Sequence, residues 1–367
     1  MSLIDSLYLR LMRNRLREID AFSAHGAEIQ RGQLSALLDK GKHTEYGRKF
    51  GFAKIGSDDD FRKNVPVASY EELQPYIERM MRGEENLLWP GKTRFYSKSS
   101  GTTNAQSKYI PVSSQALRKC HYKGGRDLFA LYMRENPGSG LFAGKNISMG
   151  GSLHPWKENP RVCCGDVSAI ITRQLPFWAE WRRAPGKRIA LMDEWESKLR
   201  LMAQETAKQD VRSILGVPSW VMLLLEKVLE VSGKRNLSEV WPNFELFVHG
   251  GVSFVPYARP LKALLGENCR FWETYNASEG FFGIQYNQPG DMLLMLDYGV
   301  YYEFLPVEDI GRKDAATSTL AEVVPGKQYA LVITTNAGLW RYLIGDTIVF
   351  TSVKPYTFKI SGRTRHF

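Results

Sequence analysis

Long apolar runs are missing. The stretch Val221–Leu225 (VMLLL) is broken at once by Glu226 and Lys227, far short of the roughly 20 apolar residues that a membrane span needs. No transmembrane helix is expected. The N-terminus, MSLIDSLYLRLMRNRLREID, has no apolar block followed by small residues, and its acidic residues are out of place in a transit peptide. A cytoplasmic chain is the expectation. Cysteine is scarce: the four occur at positions 120, 163, 164 and 269, without a CxxC pair and with two of them adjacent, which argues against a disulfide framework and against zinc. The six histidines are scattered, none paired at ligand spacing, so no structural transition metal is expected. Also absent are the GxxxxGK[ST] loop, the GxGxxG fingerprint, internal repeats and low-complexity tracts.

What is present suits a folded globular chain. Its 367 residues are 43% hydrophobic and 12% aromatic, ample for a buried core. The net charge of +10 would suit an anionic ligand. The basic residues are spread out, however, over MRNRLRE near the start, WRRAPGKR at 181–188 and single positions. A solvated surface accounts for most of them, and a nucleic-acid partner is not expected. A monomer is expected.

Leu3, Leu7, Leu11, Ile19 and Phe22 recur at helical intervals and predict an amphipathic N-terminal helix. A second helix is predicted over 27–40, and Ser69 with Glu72 forms a capping-box start for another. Beyond the first hundred residues, short β-branched or aromatic runs end in Gly, Ser or Thr: RFYSKSS, KNISMGG, ELFVHGG, FWETYNASEG, MLLMLDYGVYYEFLPV and YALVITT. They alternate with helical stretches at 113–134, 190–208, 219–231 and 257–265. The pattern predicts an α/β fold with layered sheets, helices between and around them, and strand-end loops converging on one crevice.

Three constellations could carry chemistry. The first is SSGTT at 99–103, with four hydroxyls around one glycine, followed after four residues by Lys108. Hydroxyls and backbone N–H groups on a tight Gly101 turn make a concave donor surface for a polyphosphate; a hydroxyl-rich surface turn is the plain alternative. The second is FWETYNASEG at 271–280. Tyr275 falls at a strand end, where an aromatic face can meet a nucleobase, and Glu279 falls in a loop, where a carboxylate near phosphates serves as a magnesium ligand; taken alone, the stretch reads better as a strand with an exposed glutamate in its turn. In the third, LWRYLIGDTIVF at 339–350, Gly345-Asp346 interrupts an apolar strand pattern. Asp346 could accept two hydrogen bonds from a ribose diol, or the pair could make a hairpin turn. Together and in this order they are the parts expected around a nucleotide attacked at its α-phosphate.

The ordered set resembles the acyl-adenylate-forming superfamily, and within it the plant auxin-responsive Gretchen Hagen family of acyl-acid amido synthetases and its bacterial relatives. EYGRKFGF, DFRKNVPVASYEEL, SSGTTNAQSKYIPVS, YNASEGFFGIQ, YYEFLPV and YLIGDTI are similar to that family's pattern across 45–350. The resemblance implies the large N-terminal domain of the acyl-adenylate-forming fold. It makes Ser99, Ser100, Thr102 and Thr103 phosphate donors, Gly101 the turn, and Lys108 a charge at the phosphates. Tyr275 would line the adenine pocket, Ser278 would lie near base or phosphate, and Glu279 would hold Mg2+. Asp346 would take the ribose hydroxyls, with Arg363 able to reach the ribose too. Gly251, Val252 and Ser253 would pass backbone against adenine. The implied reaction uses ATP to activate a small carboxylic acid as acyl-adenylate, releasing pyrophosphate, and then passes the acyl group to an amine, an amino acid foremost, releasing AMP. Rival readings are thioester formation as in acyl-CoA ligases, and a non-enzymatic nucleotide-binding protein.

Two departures stand out. The family's third motif commonly reads Tyr-Arg-x-Gly-Asp, whereas Leu343 follows Tyr342 here; Arg341, one place earlier, would point to the other face of a strand. The chain also stops at Phe367, where the resemblance implies a smaller C-terminal domain that supplies a lysine to the α-phosphate. The expectation is therefore a large adenylation domain over 1–361, the start of a hinge at 362–367, and little full turnover by this chain. For the second step His249 could be a base, though a satisfied structural histidine is favoured. Leu175, Phe177, Trp178, Val217 and Trp220 could line an acyl pocket, but ordinary core is the preferred reading.

Overall fold

The structure is a computed structural model that describes residues 2–99, 107–312 and 315–364, with the Trp178 side chain left out. Its first part is helical, with helices at Leu3–Asp20, Phe22–Gly41, Glu45–Lys49, Asp58–Asn64 and Tyr70–Arg82. The last of these starts on the capping box read from the sequence, Ser69 N–H donating to Glu72 Oε2 at 2.7 Å. The N-terminal helix forms as expected, and Ile19 and Phe22 of the expected apolar set are buried, but its first half turns another face inward. Met12, Leu16 and Ile19 are buried, whereas Leu3, Leu7 and Leu11 face solvent. Arg15 helps set that orientation. Its guanidinium donates to both oxygens of Asp297, at 2.5 and 2.8 Å, and to the buried Asp127 at 2.9 Å, and turning Leu3 and Leu7 inward would break these charged hydrogen bonds, leaving Asp297 with Lys123 and Asp127 with the Tyr298 hydroxyl. Among the described residues no helix is long and apolar enough to cross a membrane.

Two sheets carry the rest. The smaller has four strands, in the order Lys108–Val112, Phe95–Ser99, Asn159–Gly165, Leu153–Trp156. The larger has eleven and changes character halfway. Arg183–Ala184, Lys145–Ser148, Val211–Leu215, Leu246–His249 and Arg270–Asn276 run parallel, with helices such as Trp195–Thr206, Pro218–Ser232 and Val255–Leu265 in the crossovers. Strands covered on both faces should be apolar throughout, and all four residues of Leu246–His249 are buried. From Arg270–Asn276 onward the sheet is an antiparallel series: Phe281–Tyr286, Gln288–Leu294, Tyr356–Arg363, Tyr342–Val353, Gln328–Thr335, Val300–Pro306. The parallel strands all finish at one rim, where a crevice is expected in such sheets.

Gly345 and Asp346 do not form a hairpin turn. They lie inside the strand Tyr342–Val353, with Asp346 opposite Arg363. Gly345 has φ of 90°, a conformation that side-chain-bearing residues rarely adopt, and it sits next to an irregularity in the pairing between Thr347 and Ile348. Arg341, just ahead, is turned into the core. It pairs with the buried Glu303 at 2.9 and 2.8 Å and donates to the carbonyls of Arg62 and Val65 at 3.0 and 2.5 Å. It therefore ties the 62–68 segment to the sheet and takes no place at the rim.

Candidate functional site

The rim is assembled from three segments far apart in sequence. Phe95–Ser99 and Lys108–Val112 pair antiparallel with Ser99 opposite Lys108, so these two residues flank the hairpin's connecting loop. Ser100, Gly101, Thr102 and Thr103 lie in that loop and outside the described residues. Lys108 is half-buried, its ammonium 5.4 Å from the centre of the Tyr70 ring. Two residues before Ser99, Ser97 donates to Ser278 Oγ at 2.9 Å. That contact joins the hairpin to the second segment, the turn between Arg270–Asn276 and Phe281–Tyr286. Ser278 and Glu279 sit in this turn, which closes on itself through Ala277 N–H to Gly280 O at 2.8 Å and Gly280 N–H to Ala277 O at 3.3 Å.

The third segment brings Asp346 and Arg363. The Tyr275 hydroxyl donates to Asp346 Oδ2 at 2.5 Å, and Arg363 Nε donates to Oδ1 at 2.7 Å. Tyr275 and Asp346 are only 5% and 7% exposed, so the carboxylate is held from both sides in a poorly solvated place. Tyr275 packs edge-on to Phe282, with ring centres 5.0 Å apart; what it offers the rim is its hydroxyl on Asp346 more than an open ring face. Desolvation, Asp346 and Glu279 push its own pKa well above the ordinary tyrosine value.

Glu279 shares that electrostatic environment. Desolvation pushes its carboxyl up to about 7, the negative charge of Asp346 adds to the rise, and Arg363 and Lys108 pull against it. Two carboxyls and two cations within electrostatic reach of one another at a strand-end rim, one carboxyl strongly perturbed by desolvation, mark a candidate functional site. Gly251, Val252 and Ser253 are exposed just past the strand Leu246–His249. They border the same rim because Gly250 lies directly on the neighbouring strand, where a Cβ would come within 2.2 Å of Thr274 O.

His249 is buried, stacks on Phe254 at 3.8 Å between ring centres, and is pushed down to about 4 by burial. It has the surroundings of a packing histidine and not of an accessible base. Of the residues weighed for an acyl pocket, Phe177 is 88% exposed, against the expectation of core, at the first position of the short helix Phe177–Arg182, which has no buried residue among those described. Trp220 packs on Trp195 at 5.4 Å, and Val217 lies beside Gly251. Sequence reasoning missed Ser97, His121 and Cys120. His121 Nδ1 meets Asn276 Oδ1 at 3.2 Å, and Cys120 Sγ accepts the Phe281 N–H at 3.1 Å. No spacing rule connects residues so distant.

With this geometry in view, the family comparisons are informative. The GH3 family N-terminal domain matches residues 15–269, and the GH3 family central domain matches residues 293–363. Indole-3-acetic acid-amido synthetase GH3.3 of Arabidopsis thaliana is 24% identical, over 92% of this chain and 67% of the relative. The chain thus spans about two thirds of that relative's length. Among solved structures, AtGH3.15 acyl acid amido synthetase in complex with 2,4-DB superposes with a TM-score of 0.80 at 20% identity, covering 95% of this chain and 70% of that one. A 2-hydroxyisobutyryl-CoA ligase in complex with 2-HIB-AMP and CoA superposes at 0.61 with 16% identity, over 93% and 68%. At these identities both structures speak to the fold, a mixed α/β architecture common to amido synthetases and acyl-CoA ligases. The two family matches together run from residue 15 to residue 363 with a single gap, and the chain belongs to the GH3 family, of which it contains the N-terminal and central domains.

Proposed function

We propose that this chain is the adenylating body of an acyl acid amido synthetase. It binds ATP and a small carboxylic acid, forms the acyl-adenylate and pyrophosphate, and serves an enzyme in which an amine, an amino acid foremost, then takes the acyl group and releases AMP. The observation that carries the reading is the convergence of Lys108, Ser278, Glu279, Asp346 and Arg363 from three distant segments at the strand-end rim. Membership in the GH3 family supports it.

The residues divide the first step between them. Asp346, oriented by Tyr275 and Arg363, presents its remaining lone pairs to the ribose diol. Gly251, Val252 and Ser253 offer backbone to the adenine, and Tyr275 and Ser278 border the same pocket. The loop with Ser99, Ser100, Gly101, Thr102 and Thr103 is assigned to the phosphates, and Lys108 offsets the charge that builds as the substrate carboxylate attacks the α-phosphorus and pyrophosphate departs. Little proton transfer is needed, so positioning and charge neutralisation carry the step. A magnesium ion bound with nucleotide asks one or two carboxylates of the protein and takes its other ligands from phosphate and water. Glu279 fits, because its desolvated carboxyl beside Asp346 is relieved by a positive charge. Mg2+ held there would neutralise phosphate oxygens. We assign 1–361 to the body and Gly362 onward to the start of a hinge; Arg363, the last residue of the strand Tyr356–Arg363, holds Asp346 through its Nε.

Exchange of labelled pyrophosphate into ATP, dependent on an added carboxylic acid, tests the reading, and a screen of acids would also identify the acyl substrate. Exchange, with amide product formed from amino acids, is the expected result. Product with CoA in place of amino acids would point to thioester formation, and ATP binding without exchange for any acid would leave a non-enzymatic binder.

A further inference from the structure

The turn 277–280 has only two backbone bonds of its own, and those close it without fixing how it tilts on the sheet. Ser97 holds it at one point through Ser278 Oγ at 2.9 Å, and the rest of its tilt is set by whatever grips its ends, Asn276 and Phe281, which pair across the two strands. The grip comes from a helix. Between Ser114–Ala116 and Tyr122–Glu135 the chain makes a π turn at Leu117–His121. Such wide turns inside α-helices are frequent at functional sites, and the one extra residue shifts the side chains after it by roughly 100°.

The π turn presents two consecutive buried side chains, one to each end of the turn. Cys120 Sγ accepts the Phe281 N–H at 3.1 Å and its thiol faces Phe281 O at 3.7 Å. His121 Nδ1 lies 3.2 Å from Asn276 Oδ1; that oxygen only accepts, so Nδ1 carries the proton. The helix is also cut away to receive Phe281: a Cβ on Gly124 would come within 2.6 Å of its ring. Burial pushes His121 down to about 4, which keeps it an uncharged donor at neutral pH.

We infer that the π turn is a positioning element for the reaction, in which His121 through Asn276 and Cys120 through Phe281 hold the 277–280 turn at the tilt that aims Glu279 at the nucleotide's phosphates. The inference rests on the reading of Glu279 given above. His121 touches no reacting atom and is a positioning residue.

The test is equilibrium binding of ATP to the full chain by calorimetry, over a series of Mg2+ concentrations and also in EDTA, with thermal unfolding measured in parallel. In His121→Asn the amide nitrogen replaces Nδ1–H, and binding should stay within about twofold of the unaltered chain. His121→Ala should raise the Mg2+ concentration needed for half-saturation about fivefold or more, the size of one lost hydrogen bond, while affinity in EDTA is unchanged. Cys120→Ala is the second variant and should shift Mg2+ dependence in the same sense, should His121→Ala not fold. A purely structural histidine would lower the melting temperature and leave the Mg2+ dependence of the folded fraction alone, and that result overturns the inference. Glu279→Gln separates the two possible failures. If it removes the Mg2+ dependence while the His121 and Cys120 variants keep it, positioning has failed alone; if it too changes nothing, or the unaltered chain does not bind ATP, the reading of the site has failed and the inference with it.

Discussion

Replacing Asp346 by Asn changes one atom and keeps the volume, so its consequences follow from hydrogen bonding. The carboxylate now accepts from Tyr275 at 2.5 Å and from Arg363 at 2.7 Å. Asparagine has one accepting oxygen, and its amide nitrogen faces whichever donor remains. Arg363 is 60% exposed and can turn to water, whereas the buried Tyr275 hydroxyl can in turn accept from the amide. The fold should therefore lose only about 1–2 kcal/mol. Nucleotide binding should suffer more. A hydrogen bond from a ribose hydroxyl to a charged acceptor contributes about 1.5–3 kcal/mol, or about 10- to 150-fold in Kd. Calorimetric titration with ATP and with its 2′,3′-dideoxy analogue distinguishes a ribose contact from a general loss. The unaltered chain should prefer ATP by about that factor, and Asp346→Asn should bind both nucleotides alike. If the unaltered chain binds the two within about twofold, or if the variant keeps the preference, Asp346 is not the ribose acceptor.

Three further outcomes can be checked on stability and binding. Burial depresses His121 and His249 from 6.5 to about 4; between those pH values the unfolded chain binds protons that the folded chain does not, so stability present above pH 6.5 is lost as pH falls, by about 3 kcal/mol for each histidine. Urea unfolding of His249→Gln over pH 4–6.5 should show a slope smaller by about one proton, and an unchanged slope would contradict the burial assignment. Arg341→Met leaves the buried Glu303 carboxylate unpaired and should cost about 3–5 kcal/mol, with much of it recovered when Glu303 is also replaced by Met; a single-variant loss below about 1 kcal/mol would show that the pair is not sealed from water. Gly250→Ala puts a Cβ within 2.2 Å of Thr274 O. One strand must move next to Tyr275, and ATP affinity should fall about tenfold or more; retention of full affinity would separate this strand from the nucleotide site.

The chemistry of the rim was legible where short-range composition carries it. Lys108, Glu279 after an aromatic strand, and Asp346 after Gly345 are local signals, and the structure brings these three together; the hydroxyls around Gly101 lie outside the described residues. Rotation about an axis was not legible. Leu3, Leu7 and Leu11 have the same helical period as Met12, Leu16 and Ile19, and polar anchors decide which stripe turns inward: Arg15 reaching Asp127 and Asp297, the buried Asp5 accepting from Phe142 N–H, and Tyr8 donating to Arg126 O. Phe177 was misjudged for a similar reason, since hydrophobicity says that a side chain would be better buried and not whether any surface is there to bury it.

The Arg341 and His121 contacts make the opposite case to the motifs. Arg341 stands one residue from the position where the family commonly has its arginine, yet a φ of 45° and its pairing with Glu303 send it into the core. A motif match by residue type would have placed a charge at the nucleotide, whereas the backbone places it beneath the sheet. His121 has no motif at all, and its partner Asn276 is 155 residues away. Residues that touch a ligand can be found from type and order because the ligand's chemistry constrains them. Residues that aim those side chains answer only to the geometry of the fold, so for the turn that carries Glu279 the positioning contacts had to be read in three dimensions.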